Sequence, residues 1–299
     1  MTFRNTLTAG LALAASVASA PAAWAIEGYA YPWQIGLQPS NSPSMVGIHS
    51  LHNYLLVVIT GIVLFVLGLL IYVMRKFNAR ANPVPSRTTH NTTVEVAWTV
   101  IPIIILVSIA IPSFKLLYLQ RDIPAADMTI KVIGNPAWNW TYEYPDLGLN
   151  DDGSAKVSFT ASLDDNANDM EKAKQANVPY LLKTDNPVVV PVNKTVKLIV
   201  TSDPDGIIHA WTIPQFGMKI DAIPGRLNQD WFHAEHEGVF YGQCSELCGQ
   251  NHAYMPIEVH VVSQADYDTW AKTAQTAGLE EAYKNLASAE AAEGQLAQK

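Results

Sequence analysis

The sequence predicts a two-helix transmembrane hairpin followed by an all-β domain, a small antiparallel sandwich or barrel. Three observations predict it. Tyr54–Met74 and Val96–Phe114 are runs of 21 and 19 residues without a charge, each long enough at ~1.5 Å per residue to cross ~30 Å of hydrocarbon. Beyond Gln120 the apolar pattern shifts to a period of two, as in Met128–Ile133 and Lys194–Val200, cut by Gly, Pro, Asn and Asp. Of the 299 residues, 49% are hydrophobic and only 15% charged, against about 25% charged in soluble domains. That depletion excludes a disordered polymer and places part of the chain in lipid.

Residues 1–25 read as a secretory signal peptide. Arg4 supplies the positive start, Leu7–Val17 the short apolar run, and Ala23-Trp24-Ala25 the cleavage site. Residues 26–50 form an N-terminal segment outside the membrane, and residues 51–120 form the hairpin. Pro102 and Pro112 in the second span are tolerated because neighbouring helices re-satisfy the freed backbone. The connecting loop, 75–95, holds Arg75, Lys76, Arg80 and Arg87 and no acid before Glu95. The positive-inside rule therefore puts it in the cytoplasm, and both ends of the hairpin emerge on the periplasmic side, in agreement with the signal peptide.

Residues 121–270 form the β domain. Val196, Leu198 and Val200 share one strand face, and Pro187–Pro191, Ile207–Ile213, Gly238–Gly242 and Pro256–Val262 add short strands. Residues 146–176 are polar and acidic and are expected as an insertion or mobile loop. Residues 271–299 are an Ala/Glu-rich tail, with helix expected near Ala265–Leu286 and fraying beyond.

The charge is split. Residues 1–120 carry 6 Lys/Arg and 2 Asp/Glu, whereas residues 121–299 carry 13 and 25. An acidic domain repels phosphate backbones, so nucleic acid is excluded as a partner, and a basic protein is attracted instead. Glu143, Asp146, Asp203 and Asp205 are expected to supply much of that field.

Two cysteines exclude a multi-disulfide scaffold. They lie in Cys244-Ser-Glu-Leu-Cys-Gly-Gln-Asn-His-Ala-Tyr-Met255, which offers Cys244, Cys248, His252 and Met255 within twelve residues. Thiolate, imidazole and thioether together select copper, whereas hard cations want carboxylates. Upstream, His209 sits in the apolar stretch Ile207–Trp211. Singly, His209 reads as a hydrogen-bonded core histidine, Met255 as packing and the cysteines as a disulfide or dithiol. As a set they are hard to explain as packing. A mononuclear blue-copper site needs one Cys and two His; the second thiolate here suffices for two bridged coppers.

With these residues in view, the chain closely resembles subunit II of the haem-copper cytochrome c oxidases, from about residue 45 to 270. The matching stretches are His90–Trp98, Trp138–Pro145, Ile208–Trp211, Asp221–Arg226 and Cys244–Pro256. The resemblance implies a cupredoxin-like Greek-key barrel holding a binuclear, mixed-valence copper A centre. Cys244 and Cys248 would bridge both coppers, His209 and His252 would each ligate one, and Met255 and the Glu246 carbonyl would be weak ligands. The Glu246 side chain would point to a magnesium ion shared with subunit I. Trp138 would be the residue through which electrons enter from cytochrome c, and Glu95 the carboxylate at the cytoplasmic mouth of a proton pathway.

The resemblance further implies an electron-transfer subunit of the bacterial inner membrane, partnered by oxidase subunits I and III and by lipid. Oxygen reduction and proton pumping belong to the complex, and no turnover is expected from this chain alone. Each carried role has a plainer rival. Glu95 is also an acid favoured at a helix N-terminus. Trp138, Trp140, Tyr142 and Tyr144 alternate on what reads as one strand face, more aromatic bulk than one small strand buries, so some should reach the surface. The family commonly has Gly-His-Gln before the tryptophan, where this chain has the longer Gly134-Asn-Pro-Ala137.

Two other functions compete. A membrane-anchored copper chaperone or thiol reductase shares C-x3-C with a distant His, but needs a βαβ pattern and a single anchor. A quinol-oxidase subunit II shares the architecture and lacks the copper ligands, all of which this chain retains. Without C-x-x-C-H, no covalent haem is expected.

Overall fold

The computed structural model describes residues 28–296; the signal peptide expected at 1–25 lies outside them. Two long helices open the fold, α1 at Pro43–Lys76 and α2 at Thr92–Arg121. Ser42 caps α1 by accepting from Met45 N at 3.0 Å, with Pro43 at the first helical position. Asn91 caps α2 by accepting from Val94 N at 3.2 Å. Both helices are apolar enough to span a membrane, and α2 continues through Pro102 and Pro112. They pair antiparallel: Tyr54 Oη donates to Ser108 Oγ at 2.7 Å, and Gly47 leaves room for the Leu116 side chain. The boundary expected after residue 50 falls inside α1, because the Ser42–Pro43 cap starts the helix eleven residues before the charge-free run.

That early start docks the hairpin onto the β domain. Ser42 Oγ donates to Phe216 O at 2.6 Å. Asn41, wholly buried, donates to His236 O and accepts from His236 N at 2.7 Å and Glu235 N at 3.1 Å. At the end of α2, Gln120 donates to Gly217 O at 3.1 Å and accepts from Trp231 Nε1 at 3.2 Å.

The β domain holds ten strands: β1 Met128–Gly134, β2 Trp140–Glu143, β3 Ser158–Ala161, β4 Val188–Pro191, β5 Thr195–Ser202, β6 His209–Ile213, β7 Met218–Ala222, β8 Asn228–His233, β9 Gly238–Gln243 and β10 Pro256–Val262. They form sheets ordered β3-β2-β1-β5-β8, β4-β10-β9 and β6-β7. The all-β domain is as expected, but it is not antiparallel throughout. β1 pairs parallel with β5, and β4 parallel with β10, each pair joined through long crossovers rather than hairpins. Alternate residues of β1 and β5 are buried, and Val196, Leu198 and Val200 lie together in the core.

The segment 146–176, expected as an insertion or mobile loop, contains β3 and a short helix, α3, at Met170–Ala176. Val157, Phe159 and Ala161 give it an apolar face that pairs β3 with β2. After β10, α4 (Gln264–Thr276) and α5 (Leu279–Leu296) follow, turning at Gly278, whose φ is +94°. The boundary expected after residue 270 falls inside α4, since Trp270, Ala271, Ala282 and Leu286 all join the core. Trp270 packs on Tyr144 with ring centroids 5.3 Å apart.

Trp270→Ala leaves a large buried void, and a loss of about 3–5 kcal/mol is expected. Chemical denaturation of the variant checks this; an unchanged midpoint would show that α4 and α5 are appended to the core without completing it.

Candidate metal centre

The site forms where β6 meets the connection between β9 and β10. Gln243 at the end of β9 opposes Pro256 at the start of β10. Cys244 N donates to Met255 O at 2.9 Å, closing the neck of the 244–255 loop, and Ser245 N donates to Ala210 O at 3.0 Å, tying the loop beside His209. A ladder continued past the end of two strands thus fixes where the donors start.

Within that frame the donors form a string. His209 Nδ1 lies 3.7 Å from Cys244 Sγ, the two sulfurs are 3.6 Å apart, and Cys248 Sγ lies 3.3 Å from His252 Nδ1. The sulfurs are free thiols, well beyond the ~2.05 Å of a disulfide. The His209, Cys244 and Cys248 ligand atoms all fall within 4.8 Å of one another. Glu246 O lies 3.3 Å from Cys244 Sγ, while the Glu246 carboxylate turns outward, 3.9 Å from Lys219 Nζ. Met255 is wholly buried.

The donor set fits copper ions: two sulfurs, two imidazole nitrogens presented through the same ring position and a carbonyl converge, on a loop that also buries the Met255 thioether. Two glycines clear the space. A Cβ on Gly134 would stand 2.7 Å from the His209 ring, and one on Gly249, at φ +108°, would stand 3.2 Å from Trp138. Sequence reasoning missed both roles, since neither glycine belongs to a ligand motif.

Burial, together with the nearby His252, lowers the His209 pKa against the opposing pull of the Asn135 backbone. Both causes favour the neutral imidazole, the form that can donate a lone pair to a metal. Burial and the adjacent Cys244 push the Cys248 thiol up to about 12.

Trp138 is not on the strand face that its spacing suggested. β2 begins at Trp140, and Trp140, Tyr142 and Tyr144 are all buried. Asn135 N donates to Asn139 O at 3.0 Å, and the turn so formed holds Trp138 at φ +57°. There Trp138 stays half-buried and its Nε1 donates to Cys248 O at 2.8 Å. Glu95, at the start of α2, folds back so that Oε1 accepts from Asn91 N at 3.2 Å, completing a reciprocal cap.

The four acids singled out for steering are unequal. Glu143 is paired with Lys131 at 3.0 Å, and Asp146 Oδ2 accepts from Thr129 N at 2.6 Å. Asp203 N donates to Gly134 O at 2.9 Å, which sets the turn of half-buried Asp203 and exposed Asp205 alongside the turn carrying Trp138.

Comparison with known proteins gives the family. The pattern of the family "Cytochrome C oxidase subunit II, periplasmic domain" matches residues 128–262, and that of "Cytochrome C oxidase subunit II, transmembrane domain" matches residues 30–116. Similar relatives include a probable cytochrome c oxidase subunit 2 of Rickettsia bellii, 48% identical over 80% of this chain and 83% of that one. Cytochrome c oxidase subunit 2 of Cereibacter sphaeroides is 45% identical over 89% of each chain. Among solved structures, the periplasmic domain of subunit II of cytochrome oxidase of Bradyrhizobium japonicum is 45% identical, covers 52% of this chain and 97% of that one, and has a TM-score of 0.44.

A Cys248 thiol pushed up to about 12 is protonated at neutral pH, so metal can take this sulfur only by displacing a proton. Metal uptake is expected to release protons and apparent affinity to rise with pH throughout the neutral range. Titration with Cu(I) in weak buffer with a pH indicator checks both. Uptake without acidification, or equal release by Cys248→Ser, would contradict the assignment.

Proposed function

The chain belongs to the cytochrome c oxidase subunit II family, and from that premise we propose that it accepts electrons from cytochrome c and passes them towards haem in subunit I. The observation that carries the reading is the pair of buried sulfurs 3.6 Å apart, flanked on each side by an imidazole nitrogen. When bound, a copper pair supplies a one-electron redox couple. Cys244 and Cys248 would hold the pair through their sulfurs, with His209, His252, Met255 and the Glu246 carbonyl as the further ligands.

Trp138 presents its indole between solvent and the loop. Its hydrogen bond to Cys248 O gives an arriving electron a short path onto a ligand residue. Behind it the wholly buried Trp140 packs edge-on to the His209 ring, centroids 5.8 Å apart. Asp203 and Asp205 steer a basic cytochrome c towards this face, screened over ~8 Å at physiological salt. Glu143, already neutralised by Lys131, contributes little.

The outward carboxylate of Glu246 is available to a magnesium ion shared with subunit I. Glu95 takes up protons from the cytoplasmic side once subunit I covers it, exchanging its cap for that role. Subunit III and lipid cover the remaining faces of the hairpin. The Arg-rich 75–95 loop lies in the cytoplasm and the β domain in the periplasm of a bacterial inner membrane. The chaperone or thiol-reductase alternative is not favoured, because a helix hairpin with a β domain replaces its single anchor and βαβ unit.

Copper-loaded protein is expected to hold two coppers per chain sharing one unpaired electron. Met255→Leu is expected to keep both and shift the reduction potential, because a weak axial ligand tunes the site. Metal analysis and EPR decide: one copper with a four-line mononuclear signal sinks the binuclear reading.

Trp138→Gln is expected to leave cytochrome c encounter nearly intact and slow the limiting electron-transfer step. Asp203→Asn with Asp205→Asn is expected to lower the on-rate and flatten its salt dependence, while Glu143→Gln changes neither. Stopped-flow reduction across ionic strengths separates them. An unchanged limiting rate in Trp138→Gln would remove its assigned role.

A further inference from the structure

Gln243, the last residue of β9, directly precedes Cys244. Its Nε2 donates to Leu181 O at 3.2 Å and to Ala253 O at 3.4 Å. One amide thus ties the first residue before the copper loop, and the neighbour of His252 near its end, to a third segment. Leu181 holds φ +59°, a conformation unfavourable for a bulky L-residue. Such a backbone persists only where its surroundings over-determine it, and it is a pointer to function.

Those surroundings are specific. Leu181 N donates to Ala167 O at 2.9 Å. Three residues on, Glu258 Oε2 accepts from Thr184 N at 2.6 Å and from Thr184 Oγ1 at 3.2 Å. Its Oε1 lies 2.9 Å from His260 Nε2 and 3.6 Å from Lys183 Nζ. The Glu258 side chain is 1% exposed. Burial pushes its carboxyl upward, but His260, Lys183 and Thr184 together outweigh burial and hold it below the usual carboxylate range. An ionised group sealed inside the domain, with its partners drawn from its own strand and from 183–184, is a strong lock. Asp185 closes the far end by accepting from Ser162 N at 2.7 Å.

We propose that Leu181–Asp185, locked to β10 by Glu258, is a brace for the copper loop, and that Gln243 is the positioning residue that hooks the loop onto it. The brace rests on the copper reading given above. It fixes the Ala253 carbonyl, and with it the approach of His252 Nδ1 to Cys248 Sγ. Trp138 holds the loop at a second point through Cys248 O, so the loop is tied at two points to residues with left-handed backbones, Leu181 and Trp138. Glu258 therefore affects the metal without touching it.

The test is a double-mutant cycle in the full chain within the assembled oxidase, with Gln243→Met and Glu258→Gln as the single changes. The readouts are the EPR hyperfine pattern and the rate of copper loss to a chelator. Each single variant is expected to keep two coppers, alter the hyperfine pattern in the same way, and speed copper loss about tenfold. That factor corresponds to ~1.4 kcal/mol, the scale of one hydrogen bond. The double variant is expected to lose copper no faster than either single, because both changes cut one linkage. If Glu258→Gln does not assemble, Thr184→Val removes one bond to the same carboxylate and takes its place in the cycle. Additive effects, or wild-type spectra and loss rates in Gln243→Met, would overturn the brace alone. Wild-type protein that takes up no copper would overturn the copper reading and the brace together.

Discussion

Two sulfurs 3.6 Å apart in a buried site set the constraint on which the rest depends. Two negative charges at ~4 Å repel by ~4 kcal/mol even at an effective dielectric of 20, and burial adds a desolvation cost to each. Burial and the neighbouring Cys244 accordingly push the Cys248 thiol upward. The sulfurs cannot be held together by their own interaction and must be placed by backbone. The neck bond from Cys244 N to Met255 O, the β9–β10 register and the tie from Ser245 N to Ala210 O do this. The placement of the ligands thus follows from the sheet edge.

The same logic extends to the membrane. A donor site placed with sub-ångström care is useful only if its carrier is also placed. Asn41 and Ser42 at the start of α1, and Gln120 at the end of α2, bond to backbone groups of the β domain. Both helix ends meet the barrel around Gly217, where a Cβ would press on Met45. The hairpin and the barrel therefore meet through specific hydrogen bonds at both helix ends.

What the sequence made legible was whatever needs no tertiary partner to recognise. A charge-free run marks a span by itself, and soft donors within twelve residues mark a metal loop by themselves. Period-two burial in β1 and β5 was readable because both strands are long. β3 was hidden, being four residues set in an acidic stretch, with only Phe159 flanked by small neighbours to signal a face. The parallel pairings were hidden because they depend on crossovers that no local pattern encodes. Trp138 was counted onto the strand by its spacing from Trp140. The turn at Asn135–Asn139 breaks that spacing through backbone bonds that leave no periodic trace. Gly134 and Gly249 matter only for what lies opposite them, so composition could not single them out.

The ligands come from two places, His209 on β6 and the loop between β9 and β10, so no local peptide contains the site. Metal affinity must then depend on barrel closure, in contrast to small zinc modules whose folding the metal itself drives. The core here is large and apolar around Trp140, Trp211, Phe216 and Phe240, a scale of burial that small zinc modules lack. A domain with such a core leaves the metal-binding free energy to be set chiefly by ligand placement. Small displacements of His252 or Cys248 then register directly in affinity and potential, and residues that fix the loop's backbone acquire an influence on the metal that their distance from it conceals.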